Sequence, residues 1–112
     1  MNQGKIYHAD RRRSGRQVFV TSETGTMPLQ TRTDIVAYSS APHDWGYLGG
    51  PAAQLSIDIL ADFFGDTETA YKLHQVFQFA VIRRAEFRGF KITAEQIMDA
   101  VRDARMLSEQ VG

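Results

Sequence analysis

Two glycines followed by a proline, Gly49-Gly50-Pro51, divide this 112-residue chain into halves with different hydrophobic periods. Proline is tolerated in the first turn of a helix, where its missing N–H would have had no partner. Upstream of it, turn formers cut the chain into short runs. Downstream, apolar residues recur at spacings of three and four. Strands gathered before helices define an α+β pattern. The expectation is one α+β domain over residues 1–112. A small antiparallel sheet in 1–44 would pack against three helices in 51–108. A chain of this length buries well over half of its unfolded surface and needs no disulfide staples.

In the first half, Lys5-Ile6-Tyr7-His8 and Arg16-Gln17-Val18-Phe19-Val20-Thr21 read as strands, because β-branched and aromatic residues cluster there. The polar stretch from Asp10 to Gly15 reads as the hairpin loop between them. Glu23-Thr24-Gly25 is a second turn. Met27-Pro28-Leu29 would return antiparallel, with Pro28 at an edge. Asp34 to Ser39 is a further strand candidate.

In the second half, Ala52 to Phe64 carries apolar residues on several sides and reads as a central, largely buried helix. Gly65 stops it, and Asp66 is a natural N-cap for a second helix over Thr67 to Glu86. Its stripe would be Ala70, Leu73, Phe77, Ala80, Val81 and Arg84. Thr93-Ala94-Glu95-Gln96 fits a capping box, and Ile92 with Ile97 fits a hydrophobic staple. Ile97, Ala100, Val101 and Ala104 would form the buried stripe of the last helix, whose end at Gly112 would fray.

Charge narrows the function classes. The chain has 13 basic and 13 acidic side chains, split so that the halves sit near +2 and −2. That balance argues against a generally basic nucleic-acid binder and against an acidic tail. No cysteine is present, which excludes disulfides, thiolate nucleophiles and cysteine-based metal sites. No apolar run reaches the length needed to span a bilayer, and Met1-Asn2-Gln3-Gly4-Lys5 lacks the apolar region of a signal peptide. A cytoplasmic protein without membrane contact is expected.

The segment Asp44 to Leu55 holds the only tryptophan and three of the nine glycines. Trp45, Tyr47, Gly49 and Gly50 are the candidates for a ligand loop. Paired glycines allow close backbone approach, and free N–H groups near Ala52 and Ala53 would attract an anion. The competing reading makes the segment a tight corner, with Trp45 and Tyr47 as pegs in the core. A phosphate loop needs Lys and Ser or Thr after its second glycine, and Pro51-Ala52-Ala53 stands there instead.

Trp45-Gly46-Tyr47, Gly49-Gly50-Pro51-Ala52 and Gln54-Leu55 together resemble the signature of a domain-of-unknown-function family of small proteins. That signature is a W-G-Y-G-G-S-G-P-A-Q-L-like run, and the family is found in bacteria, phages and plasmids. Gly65-Asp66, Tyr71, Phe77 and Ile92-Thr93 with Ile97 follow in the matching order, so the resemblance covers about residues 16 to 102. The loop here is shorter by about a residue, and Leu48 stands in place of a glycine. The resemblance implies a fold and a genomic habit, with no reaction attached.

Other candidate chemistry is sparse. His8, His43 and His74 lack the close ligand spacing of a zinc site, and His74 reads as solvated or locally hydrogen-bonded. Asp58, Asp62 and Asp66 form an acidic row that reads as the wet face of a helix. No nucleophile elbow is present. No catalytic residue, metal or cofactor is therefore assigned. Two basic clusters remain. Arg83, Arg84, Arg88 and Lys91 suit a helix C-terminus. Arg11, Arg12, Arg13 and Arg16 lie in the first loop without that explanation, and can grip phosphates or an acidic protein surface.

The expectation is a small non-enzymatic interaction protein. The genomic habit of the resembling family implies a phage or mobile-element protein that binds and inhibits a host defence protein, such as a CRISPR effector. The alternatives are a nucleic-acid-binding accessory protein using Arg11 to Arg16, or a nucleotide or small-ligand binder using Trp45 to Ala53.

Overall fold

A computed structural model describes residues 4–111, with side chains through residue 102. The elements run β1 (Ile6–Asp10), α1 (Arg11–Ser14), β2 (Phe19–Ser22), β3 (Gly25–Pro28), α2 (Gly50–Phe64), α3 (Thr67–Ala80), a 3₁₀ turn (Ile82–Arg84), β4 (Gly89–Thr93) and α4 (Ala94–Val111). Four strands form one antiparallel sheet in the order β3-β2-β1-β4. Three long helices pack on it, as the α+β reading expected. Met1 to Gln3, Gly112 and the side chain of Ala104 lie outside the described residues.

Alternation sets the faces of the sheet. Along β1, Tyr7 and Ala9 are buried while Ile6 and His8 are half-buried, so one face meets the helices. β3 is exposed throughout, and Pro28 sits on this edge strand as expected. The 10–15 loop is a single helical turn: the Asp10 carboxylate accepts from the Arg12 N–H, and the Gly15 N–H donates to the Arg11 carbonyl.

The fourth strand comes from the helical half. Gly89–Thr93 pairs along all of β1, from Ile6 opposite Thr93 to Asp10 opposite Gly89. Gly89 is required there. Its φ is +156°, and a Cβ would stand 2.3 Å from the Ala9 carbonyl oxygen. The preceding helix is shorter than its sequence stripe. α3 ends at Ala80, the 3₁₀ turn follows, and Ala85 is extended. Tertiary bonds compete with the helix here: the Gly46 N–H donates to the Ile82 carbonyl, and the Trp45 indole donates to the Glu86 carbonyl. Ala80 and Arg84 are exposed, while His74 and Gln78 take places on the buried face.

Helix α2 is central, with ten of its fifteen residues buried. Asp58 and Asp62 do not form the expected wet face, while Asp66 is exposed beyond the helix end. Gln54, Asp58 and Asp62 follow one another at i, i+4 and i+8, and each holds a different piece of chain. Gln54 Oε1 accepts from the Tyr38 and Ser39 N–H groups. Asp58 accepts from the Arg32 N–H and pairs with His43. Asp62 accepts from Lys5 Nζ at 3.0 Å and from the Tyr7 hydroxyl at 2.6 Å.

The predicted strand at Asp34 to Ser39 is therefore absent. Its backbone donors go to helix side chains and to a local turn, where the Ile35 N–H donates to the Arg32 carbonyl. The capping box at Thr93 and Gln96 forms as expected, with reciprocal bonds of 2.9 and 3.2 Å. Asp66 caps α3 by accepting from the Glu68 N–H.

Tyr7 makes the fold sensitive to alkali. Burial, then the Asp62 hydrogen bond and charge, push its phenol far above the ordinary tyrosine value. A group whose folded value is raised contributes stability that is complete below the unfolded value and lost as pH rises toward the folded one. Stability should therefore fall above about pH 10, by up to about 1.4 kcal/mol per pH unit. Urea denaturation at rising pH measures this slope, and Tyr7→Phe should remove the Tyr7 contribution, leaving that of Tyr47, whose phenol is also raised, by burial first and then by the Asp44 hydrogen bond.

Candidate functional site

Asp44 is the hub of the corner between sheet and helix. Its carboxylate accepts from Arg11 Nη2 at 2.8 Å, Arg16 Nη1 at 3.3 Å, the Tyr47 hydroxyl at 3.1 Å and the Trp45 N–H at 2.9 Å. Burial raises the Asp44 carboxyl, but the hydrogen bonds from Arg11, Trp45 and Tyr47 outweigh this and hold it below the usual carboxylate range. Arg11 is fixed further. Its Nε donates to the Phe87 carbonyl at 2.8 Å, and its guanidinium lies over the Trp45 and Phe87 rings at 4.5 and 4.0 Å.

The four arginines of the first cluster thus divide. Arg11 and Arg16 are tied to Asp44. Arg12 and Arg13 are exposed, and neither has an ion pair among the described residues. The pairing of β1 with β4 brings the second cluster alongside, since the Arg11 N–H donates to the Arg88 carbonyl at 2.8 Å. Arg11, Arg12, Phe87 and Arg88 then line one open cleft of about 350 Å³. The Phe87 ring is 70% exposed beside them. Arg83 and Lys91 stay apart from this cleft, with Arg83 stacked on Phe79 at 4.2 Å.

Trp45 is 2% exposed and packs edge-on against Phe90, whereas Tyr47 is 41% exposed. The glycine pair is crowded by the chain's own atoms. A Cβ on Gly49 would stand 2.5 Å from the Tyr47 ring, and one on Gly50 would stand 3.1 Å from the Tyr38 carbonyl oxygen. The Ala53 N–H already donates to the Gly49 carbonyl at 2.8 Å, so this donor is not left over for an anion. Close approach to the Tyr38 backbone accounts for Gly50, while at Gly49 the near atoms belong to the half-exposed Tyr47 side chain.

The sequence reading missed a second constellation. His43 Nε2 lies 2.6 Å from Asp58 Oδ2, and Asp58 is fully buried. Gln54 Nε2 and the Arg32 N–H donate to the other carboxylate oxygen at 3.0 and 2.8 Å. His74 is buried too, bonded to the Tyr38 hydroxyl at 2.7 Å and to the Tyr71 carbonyl. The local bond to Tyr71 was foreseeable from the three-residue spacing. The burial was not. Residue 43 lies in a segment without periodicity, so nothing in the sequence aimed it at residue 58.

These features define a small α+β domain whose irregular 29–49 segment is pinned to α2 and whose corner presents a mixed arginine and aromatic surface. The chain belongs to a family of unknown function, DUF6166, whose model matches residues 7–103. No curated protein and no solved structure matches the chain. No helix among the described residues is long and apolar enough to cross a membrane.

Proposed function

We propose that this is a small non-enzymatic interaction protein that docks on an acidic protein surface through Arg12, Arg13, Arg88 and the Phe87 ring. One observation carries the reading. The β1–β4 pairing gathers basic residues from distant parts of the sequence around an exposed aromatic ring, in a chain of zero net charge. Arginine and aromatic side chains are the types enriched at binding hot spots. Arg11 and Arg16 position this surface through Asp44. The finer reading, which the sequence resemblance implies, is a partner in a host cytoplasm, of the host-defence class such as a CRISPR effector, inhibited by steric cover.

The triple variant Arg12→Glu, Arg13→Glu, Arg88→Glu should keep the wild-type melting temperature, because all three side chains are exposed. It should bind the partner on the order of thirty-fold more weakly or worse. Pull-down from host lysate with both proteins measures this. A stoichiometric protein retrieved equally by both would overturn the assignment of the surface.

The same cleft sets a ring beside guanidinium groups, which also suits a nucleic-acid strand. In that case wild-type binding to DNA or RNA appears at low salt and falls steeply as salt rises. Absence of binding at low salt removes this second reading.

A further inference from the structure

We propose that the cleft over His43 binds a small phosphate-bearing ligand, with Arg16 supplying the charge and His43 Nδ1 a directed hydrogen bond. The cleft measures about 440 Å³, and Ser14, Arg16, Gln17, Thr31 and His43 line it. Its apolar part includes Val18 and Leu29, both buried. No carboxylate is among its lining residues; Asp44 and Asp58 lie behind the wall, paired with Arg16 at 3.3 Å and His43 at 2.6 Å.

The imidazole is held for this task. Asp58 Oδ1 is occupied by two N–H donors, and Oδ2 faces His43 Nε2 at 2.6 Å. A carboxylate accepts hydrogen bonds, so Nε2 carries a proton, and in the singly protonated ring Nδ1 holds the lone pair. His43 is only 8% exposed, and Nδ1 has no partner among the described residues. No sealed side-chain nitrogen or oxygen among them lacks a partner, so Nδ1 opens to the cleft that His43 lines. A buried ring with its tautomer set by one carboxylate, and its free nitrogen aimed into a polar cleft, is arranged to meet a ligand.

The donor set selects the ligand. Arg16 spends one Nη on Asp44, at 3.3 Å, and keeps further N–H groups for an oxyanion. The Ser14 and Thr31 hydroxyls and the Gln17 amide add neutral donors. The Nδ1 lone pair accepts the P–OH proton of a monohydrogen or dihydrogen phosphate. Sulfate carries no such proton near neutral pH and cannot make that bond. This site uses none of Arg12, Arg13, Phe87 and Arg88, and shares with that surface only the Arg16 bond to Asp44.

The test is a titration of the full chain, ¹⁵N-labelled at histidine, with inorganic phosphate at low ionic strength. The side-chain nitrogens of His43 are followed by long-range ¹H–¹⁵N spectra. Before phosphate is added, His43 should show the Nε2–H tautomer. Phosphate should move its Nδ1 resonance saturably, and sulfate at the same concentration should act at least several-fold more weakly. Arg16→Gln, which leaves the Asp58 pair intact, should weaken phosphate binding about tenfold. A silent Nδ1 at millimolar phosphate, an equal response to sulfate, or an unchanged affinity in Arg16→Gln would each overturn the proposal. A short oligonucleotide is the remaining arm. If it shifts His43 while inorganic phosphate does not, the site reads a nucleic-acid backbone and the small-ligand assignment falls.

Discussion

Asp58→Ala is expected to destabilise the fold by about 3–5 kcal/mol, because three donors lose their buried acceptor. Asp58 is fully buried and serves three donors: the Arg32 N–H, the Gln54 amide and His43 Nε2. Alanine leaves all three without an acceptor, and each stranded donor costs about 1–3 kcal/mol unless water enters. Two of them hold the segment between β3 and α2, which has no ladder of its own. The damage should therefore start there. Hydrogen exchange at the Arg32 and Tyr38 amides should speed up before exchange in the sheet does. Asp58→Asn keeps the shape and one acceptor but sets an amide donor among donors, so its cost should fall between alanine and wild type. Urea denaturation with an unchanged m-value measures both. A loss under about 1 kcal/mol for Asp58→Ala would mean that packing, and not this carboxylate, secures the segment.

What the sequence revealed follows from how local each signal is. The Pro51 start of α2, the Asp66 cap and the Thr93–Gln96 box are set by residues within four positions, and all three formed. The edge place of β3 followed from Pro28 alone. β4 was hidden because its last residues also carry a capping signal. A five-residue strand leaves little room for a period of its own. Asp58 and Asp62 depart from the wet face expected of the acidic row for a related reason. Spacing tells that Gln54, Asp58 and Asp62 share a face, but which chain covers that face is a tertiary fact. The same holds for the candidate sites. Arg11 and Arg16 looked equivalent to Arg12 and Arg13 until Asp44 divided them, and His43 acquired a role only from the distant Asp58.

Trp45→Ala should cost a similar amount, about 3–5 kcal/mol, and for a different reason. The ring is almost fully buried, meets Phe90 edge-on at 5.0 Å and lies under the Arg11 guanidinium. Its removal opens a large cavity at the meeting point of the 29–49 segment, the 3₁₀ turn and β4. It also removes the indole N–H bond to the Glu86 carbonyl at 2.7 Å and leaves that oxygen only the Gly89 N–H at 3.1 Å. Trp45→Phe separates the two effects. It keeps most of the ring volume and loses the donor, so it should cost about 1–2 kcal/mol for the bond plus a smaller packing loss. The functional consequence follows from the same geometry. Glu86 leads directly into Phe87 and Arg88, so the indole anchors the turn that carries half of the proposed docking surface. Trp45→Phe, still folded, should leave partner affinity within a few-fold of wild type. Trp45→Ala, assayed under conditions where it remains folded, should weaken binding further than Trp45→Phe does, because it also removes the ring that Phe90 and the Arg11 guanidinium pack against. Equal affinity for the two variants would show that Phe87 and Arg88 hold their places without Trp45, and that the corner serves stability alone.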